Sequence, residues 1–393
     1  MSSNAPLSGF LLVELGQNIA APYAAQIFAD MGAEVVKVEP PTGDDARAFG
    51  IADDKGMSPS FRAINRNKKA ISLDLSDPAQ RSWLRRYIIE NADICLQNMR
   101  PGKIDKLGLG GAELTAENPA LIYCNMGAYG KGGPLSDLPG YDPLMQAFGG
   151  VMSTTGEEDG PTVRVGTSIM DMGTGMWAAI SVLAAIAERS KTGKGGIIDV
   201  SLFETALAWM SYHVTAYDTT GTVPRKHGSG TGGVAPHKAF NCADGELVIS
   251  ALNNKLFSAM AEAVGHPEWS ADERFHTAKQ RGKNRVELYS EMDPIFPARP
   301  REYWMERLND AGVPCAPVQK VDEVVAHPQT AALNMMQTLG PDMPRVMGMP
   351  FSFDGERPPL RSDAPAIGQH NDEIIGDALA AVASPVAASK AKK

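Results

Sequence analysis

Apolar positions along the first forty residues cluster, spread to helical spacing, and cluster again. LLVEL is a short apolar run suited to a strand, PYAAQIFADMG reads as a helix, and AEVVKVE returns to a strand. Pro22 fits the first helical position and Gly32 the residue just past the helix end. The alternation continues with AISLDL as a strand, a helix from Asp77 to Ile89, and ADICLQN and ALIYCNMGAYG as further strands. The strongest helix follows Asp171 and ends near Glu188 and Arg189. After it come the turn KTGKGG, the strand IIDVSL and the helix FETALAWMSYHV. Strands alternating with helices predict an α/β fold with a parallel sheet covered on both faces.

The pattern then breaks. TGTVPRKHGSGTGGVAP is rich in glycine and reads as linker and loop. Beyond it, HKAFNCADGELVISAL predicts two strands joined at Asp244-Gly245, a common hairpin signal. The helical stretches KLFSAMAEAVG, NRVELYSEM and REYWMERLNDAG follow, then a strand-like VPCAPV. The expected organisation is a large domain from residues 1–215 and 330–393, a linker over 216–227, a small α+β domain over 228–324, and a return linker beginning at 325–329. A length of 393 residues suits two cores better than one. The tail ALAAVASPVAASKAKK is expected to fray.

Composition narrows the function. A net charge of −9 argues against a general nucleic-acid binder, and 43% hydrophobic with 21% charged residues is ordinary for a soluble protein. No signal-peptide pattern opens the chain. The longest apolar run, MWAAISVLAAIA, falls short of the roughly 20 residues that span a bilayer. The expectation is therefore a cytoplasmic protein without a membrane partner. Cys95, Cys124, Cys242 and Cys315 are scattered and the seven histidines dispersed, so no metal site is expected.

Two familiar chemistries fail on spacing. The opening strand–helix–strand ends in Glu39, where a dinucleotide fold places its ribose acid. Its turn, however, is Gly16-Gln17-Asn18-Ile19-Ala20-Ala21, with one glycine where three are needed to approach a pyrophosphate. Glu39 then reads as a solvated strand-end residue. No G-x-S-x-G nucleophile elbow occurs either. What remains is local: a cationic cluster at Arg66, Lys68 and Lys69 before a strand, and another at Arg100, Lys103 and Lys106 after one. The second lies where a parallel sheet docks anionic ligands. Asp171 stands apart, in GTSIMDMGTGMW, as a carboxylate with no cation or second acid beside it in sequence. It is equally suited to cap the helix or to act as a nucleophile; Gly173 and Gly175 would leave backbone open to a bulky ligand.

Seven segments together resemble the family III CoA-transferases. They are LLVELGQNIAAPYAAQIFADMGAEVVKVEPPTGDDAR, NRNKKAISLDL, NMRPGKIDKLGL, PGYDPLMQAFGG, SIMDMGTGMWAAISVLAAIAERSKTGKGGIIDVSLFE, the glycine loop with PHKAFNCADG, and AGVPCAPV. The resemblance implies a Rossmann-like large domain built from both chain ends, a small inserted domain and an interlocked homodimer. It implies Asp171 as the nucleophile that carries CoA as an aspartyl thioester, with Tyr141 and Asp142 beside it. CoA contacts would come from Asn18, Ile19, Ala20, Lys68, Lys69, Asn98, Met99, Arg100 and Lys106. A mobile loop containing Gly228, Gly230, Gly232 and Gly233 would close over the reacting anhydride. One departure is Pro40, where a basic phosphate contact would be expected; Arg47 or Arg100 would replace it.

The substrates implied are an acyl-CoA donor and a carboxylic acid acceptor, with no permanently bound cofactor. Gln17, Arg47 and His237 are candidate substrate contacts, and Arg47, Arg164 or His237 would pair with a distal carboxylate, as in a short dicarboxylate such as succinate. The family's 2-methylacyl-CoA racemase branch is the alternative. It needs a histidine–aspartate pair at GYDPL, where this chain has Tyr141, a phenol with a reference pKa near ~10. A non-catalytic acyl-CoA binder would need the cations but not Asp171.

Overall fold

The computed structural model describes residues 5–52 and 57–376, so the Ala/Ser/Lys-rich tail and the end of the expected 330–393 segment lie outside the described residues. Six strands form a parallel sheet: β1 (Leu11–Leu15), β2 (Glu34–Glu39), β3 (Lys69–Ser72), β4 (Ile94–Gln97), β5 (Ile122–Gly127) and β6 (Gly196–Ser201). Their order is β3-β2-β1-β4-β5-β6, with Val13 opposite both Val36 and Cys95. Helices α1 (Ala20–Asp30), α2 (Pro59–Asn65), α3 (Pro78–Asn91), α4 (Lys103–Lys106), α5 (Gly111–Glu117), α6 (Asp142–Phe148), α7 (Ile169–Thr192) and α8 (Leu202–Trp209) connect or cover the strands.

Alternate residues of the strands enter two separate cores, as period-two side-chain alternation requires. Leu12, Val35, Ile94, Leu96 and Ile122 pack with residues of α1 and α7. Val13, Val36, Ile71, Cys95 and Tyr123 pack with Leu84 and Ile88 of α3, Ile104 of α4 and Leu114 of α5. Each fully buried aliphatic side chain contributes roughly 1.5–3 kcal/mol to these cores. Helix α1 begins at Ala20, two residues before Pro22, so the proline sits inside the first turn. Asp77, expected as the first residue of a helix, instead caps α3 through the Ala79 N–H.

Helix α7 is twice as long as its apolar run in the sequence, and by length and composition it is apolar enough to cross a membrane. In this fold it is a helix of the sheet's outer layer, lying on α1, and Gly193 ends it in the left-handed conformation at φ 72°. Its glycines serve packing. A Cβ on Gly175 would lie 2.8 Å from the Ala20 carbonyl oxygen and 3.2 Å from the Ala24 nitrogen; one on Gly173 would lie 2.4 Å from the Trp209 ring. These glycines do not leave backbone open for a ligand.

Contacts divide the chain into two compact units, one holding residues 5–149, 165–211 and 328–376 of the described chain and the other 150–164 and 212–327. In the first, the late segment is tied to the early one. Arg62 pairs with Asp363 at 3.0 Å, Asn67 Oδ1 accepts the Arg361 and Ser362 N–H groups, and Asn371 Oδ1 accepts the Ser72 N–H. The second contains all of α9 (Ser211–Thr220) but its first residue, the antiparallel strands β7 (His237–Cys242), β8 (Gly245–Ser250) and β9 (Cys315–Pro317), and a core around Phe240, Phe257, Phe296 and Trp304. Helix α9 runs through Thr220, where the sequence suggests linker. Residues 150–164 join this unit because Gly156 accepts the Gly228 N–H at 3.0 Å and Glu158 pairs with Arg285.

Gly175→Ala is expected to lower the melting temperature. Overpacking against fixed backbone costs about 1–3 kcal/mol, more than the ~1 kcal/mol alanine gains in helix propensity. Thermal denaturation of the variant beside the parent checks this.

Candidate active site

The strand order reverses between β1 and β4, and in such sheets ligands bind outside the carboxyl ends of the strands at that point. A cleft of about 290 Å³ opens there. Gln17, Asn18 and Ala20 line it after β1, Asn98 to Pro101 and Lys103 after β4, and Met126 to Ala128 after β5. Leu138 to Tyr141, Asp45, Leu202 and Asp171 complete the wall.

The β1–α1 turn is built by specific bonds. Asn18 adopts φ 65°, a left-handed conformation uncommon outside glycine. Its N–H donates to Asp44 Oδ1 at 2.9 Å. Asn98 grips the Gln17 backbone from both sides, accepting its N–H at 2.9 Å and donating to its carbonyl at 2.8 Å. Thus Asn98 and Asn18 line the cleft and shape it, while Ile19 precedes α1 outside the lining.

Beneath the turn lies a buried set of charges. Lys37 Nζ reaches Glu14 at 3.0 Å, the Gly16 carbonyl at 2.9 Å and Asp44 at 2.8 Å. Burial works against its charge, and Glu14, Asp44 and Glu39 overcome that and hold Lys37 above the usual lysine range. Lys68, expected on CoA, is equally buried. Its amine donates to Glu14, the Pro22 carbonyl and Asn65, each at 2.8 Å, so all three protons are committed. Burial pulls it down to about 8 against the attraction of Glu14. Lys69 pairs with Glu34 and Glu373 at the amino end of β3, away from the cleft lining.

Arg47 is likewise committed. It forks onto Glu39 at 2.8 and 2.7 Å, donates to the Pro365 carbonyl and lies 3.7 Å from the Phe61 ring centre. It is therefore a structural partner, and Glu39 is buried rather than solvated. Of the second cationic cluster, Arg100 and Lys103 line the cleft, whereas Lys106 sits exposed at the end of α4.

Asp171 enters from the first turn of α7. The capping role open to it in sequence falls to another side chain. Asp142 Oδ2 accepts the N–H groups of Met170 at 2.7 Å and Asp171 at 3.3 Å, while Ser168 in the cap position makes no side-chain bond. A second acid does stand beside Asp171, brought from 29 residues earlier. Burial first, and the Asp142 charge second, push the Asp171 carboxyl up to about 7. Neither carboxylate forms an ion pair among the described residues. The result is a carboxylate with no ion-pair partner among the described residues, in the first turn of a helix, lining a cleft whose rim carries Arg100 and Lys103.

The remaining candidates belong to the second unit. His237 Nδ1 meets Ser250 Oγ at 2.9 Å and its N–H donates to the Tyr289 hydroxyl. Gly228 and Gly233 have φ of 59° and 79°, and a Cβ on Gly230 or Gly232 would meet the His237 carbonyl or the His227 ring. Arg164 also lies in this unit. Sequence reading missed Asp45, which carried no motif, and chose Lys106 over Lys103 within one cluster.

The sequence model of CoA-transferase family III matches residues 7–371. The chain is 35% identical over 368 residues to the acetyl-CoA:oxalate CoA-transferase of Acetobacter aceti, covering 93% of each chain. It is 33% identical to the succinyl-CoA–D-citramalate CoA-transferase of Chloroflexus aurantiacus, covering 99% of this chain and 98% of that one. Among solved structures, a CaiB/BaiF family protein from Brucella suis matches with a TM-score of 0.85 at 33% identity, over 96% of this chain and 99% of that chain.

Because the folded Asp171 carboxyl titrates near 7, above the ~3.9 of a free aspartate, its ionisation opposes folding. That cost is absent below about pH 4, grows up to about 7 and is constant above. Asp171→Asn is expected to raise the melting temperature by a few degrees near pH 8 and to leave it unchanged near pH 4, read by calorimetry across the range.

Proposed function

This chain belongs to CoA-transferase family III, and from that premise we propose that it moves CoA from an acyl-CoA thioester to a free carboxylic acid through an aspartyl-CoA thioester on Asp171. The observation that carries this reading is the Asp171 carboxylate itself, in no ion pair among the described residues and lining the cleft at the switch point of the sheet.

The ionised Asp171 oxygen attacks the thioester carbonyl and the carbon–sulfur bond breaks, leaving a mixed anhydride and CoA thiolate. The thiolate then attacks the aspartyl carbonyl and expels the donor's carboxylate, giving aspartyl-CoA. The acceptor carboxylate attacks that thioester, and the released thiolate attacks the acceptor's acyl carbon. Asp171 returns as a carboxylate with a new acyl-CoA formed. Each step exchanges one acyl bond for another, so the energy of the thioester is retained throughout. Oxyanions form beside the first turn of α7, where helix polarity favours negative charge. Arg100 and Lys103 supply attraction for CoA phosphates.

Tyr141 and Asp142 complete the site in this reading, Tyr141 at the wall and Asp142 behind the nucleophile. With Arg47 and His237 engaged elsewhere, the acyl preference rests on relatives, and the Chloroflexus protein's name favours succinyl-CoA as donor and a dicarboxylate as acceptor. Self-association as a homodimer is supported by the exposed Met176, Trp177 and Ile180 of α7 and Leu207 of α8, an apolar set unusual on a free surface.

The test is exchange from succinyl-CoA or acetyl-CoA to a panel of free acids, followed by mass spectrometry. Asp171→Ala is expected to lose exchange by roughly a thousandfold or more. The parent protein should carry a CoA adduct on the Asp171 peptide, and kcat/KM should rise with pH through about 7 as Asp171 ionises. Full exchange by Asp171→Ala would sink the covalent scheme.

A further inference from the structure

Gln146 is fully buried on α6, one helical turn after Asp142. Two partners dictate the orientation of its amide. Nε2 donates to Asp142 Oδ1 at 2.6 Å, and Oε1 accepts the Val165 N–H at 2.8 Å. A flipped amide would put two donors, and two acceptors, face to face. Asp142 thus receives Gln146 on one oxygen and the N–H groups of Met170 and Asp171 on the other. With Ser168 making no cap bond, this carboxylate is what the first turn of α7 rests on.

Asp142 is itself buried, and a carboxylate held by so few groups depends on each of them. Losing the Gln146 donor would leave Oδ1 desolvated and unbonded. Asp142 would then turn, and the Asp171 N–H would lose its acceptor. Gln146 also ties the Val165 N–H, so the stretch of chain entering α7 is held by the same amide. Of the titratable groups around this pair, Asp171 bonds Asp142 through its N–H, Tyr141 and Arg164 flank Asp142 and Val165 in the chain, and Asp45, Arg100 and Lys103 line the same cleft as Asp171.

We propose that Gln146 is a positioning residue for the transfer reaction, seating Asp142 on the N-terminus of α7 so that Asp171 is held for attack. This rests on the reading of Asp171 as the nucleophile. Gln146 is buried and is not among the residues lining the cleft, so its effect is expected on the chemical step rather than on CoA binding.

The experiment is a set of variants of the full chain assayed for exchange with succinyl-CoA. Gln146→Leu is expected to lower kcat about tenfold or more with KM for the acyl-CoA unchanged. Combined with Asp142→Asn it should cost little beyond Asp142→Asn alone, because both changes break one linkage. Gln146→Glu gives the sharper signature. A protonated carboxyl introduced there can donate to Asp142 as the Gln146 amide does, and an ionised one repels it. The rate of Gln146→Glu relative to the parent should therefore fall as pH rises, whereas the Gln146→Leu ratio should stay flat. A purely structural role would lower the melting temperature and predicts neither the coupling nor the pH-dependent ratio. Should Gln146→Leu fail to fold, Gln146→Asn, which withdraws the amide by one methylene, takes its place with the same expectation. An unchanged kcat, or losses that add to those of Asp142→Asn, overturns the assignment. Asp171→Ala is run alongside: exchange surviving there overturns the aspartyl-CoA reading instead.

Discussion

The β1–α1 turn stands on charges that see no solvent, and the cleft depends on them. Glu14, Lys37, Asp44 and Lys68 are all buried, and each pays for its lost hydration with a partner: Lys37 bonds Glu14 and Asp44, and Lys68 bonds Glu14. Removing one member of such a set costs about 3–5 kcal/mol, because the others remain buried and uncompensated. Here the consequence is also geometric. Asp44 holds the left-handed Asn18, Lys37 holds the Gly16 carbonyl, and Glu39 links Asp44 through its N–H to Arg47 and on to Pro365. The wall of the cleft, the carboxyl ends of β1 and β2 and the late segment of the chain are fastened at one place.

A second division of labour separates the two carboxylates at the start of α7. Asp142 accepts bonds on both oxygens and does structural work as a cap delivered from another helix. Asp171, two residues into the same helix, is spared that role and left with desolvation and a like charge. Both pressures raise its proton affinity. An aspartate that capped its own helix would have its oxygen committed to backbone N–H groups and be a weaker nucleophile. The arrangement gives the cap of α7 to Asp142 and leaves the Asp171 carboxylate free of it.

Much of this architecture was legible because it rests on local periodicity. The strand and helix runs from LLVEL to IIDVSL and the Asp244-Gly245 hairpin appear where short-range pattern places them. Asp171 was legible as a candidate for a similar reason, being an acid at the mouth of an apolar helix. The cationic residues were not. Lys68 and Arg47 look like phosphate ligands in sequence, yet Glu14 lies 54 positions from Lys68, and Pro365 lies 318 from Arg47. Nothing in a run of residues announces a partner so distant.

The sequence by itself therefore determined the α/β alternation, the sheet and its likeness to a transferase family, since these follow from side-chain periods of two and 3.6 residues and from motif order. Only the tertiary structure decided which charges are spent in the core and which face the cleft. It made Lys68 and Arg47 scaffold, left Arg100 and Lys103 at the rim, and moved the cap of α7 from Asp171 to Asp142. The physical reason is that a charge's role is set by its solvation and its partners, and both are supplied by residues that are neighbours in space rather than along the chain.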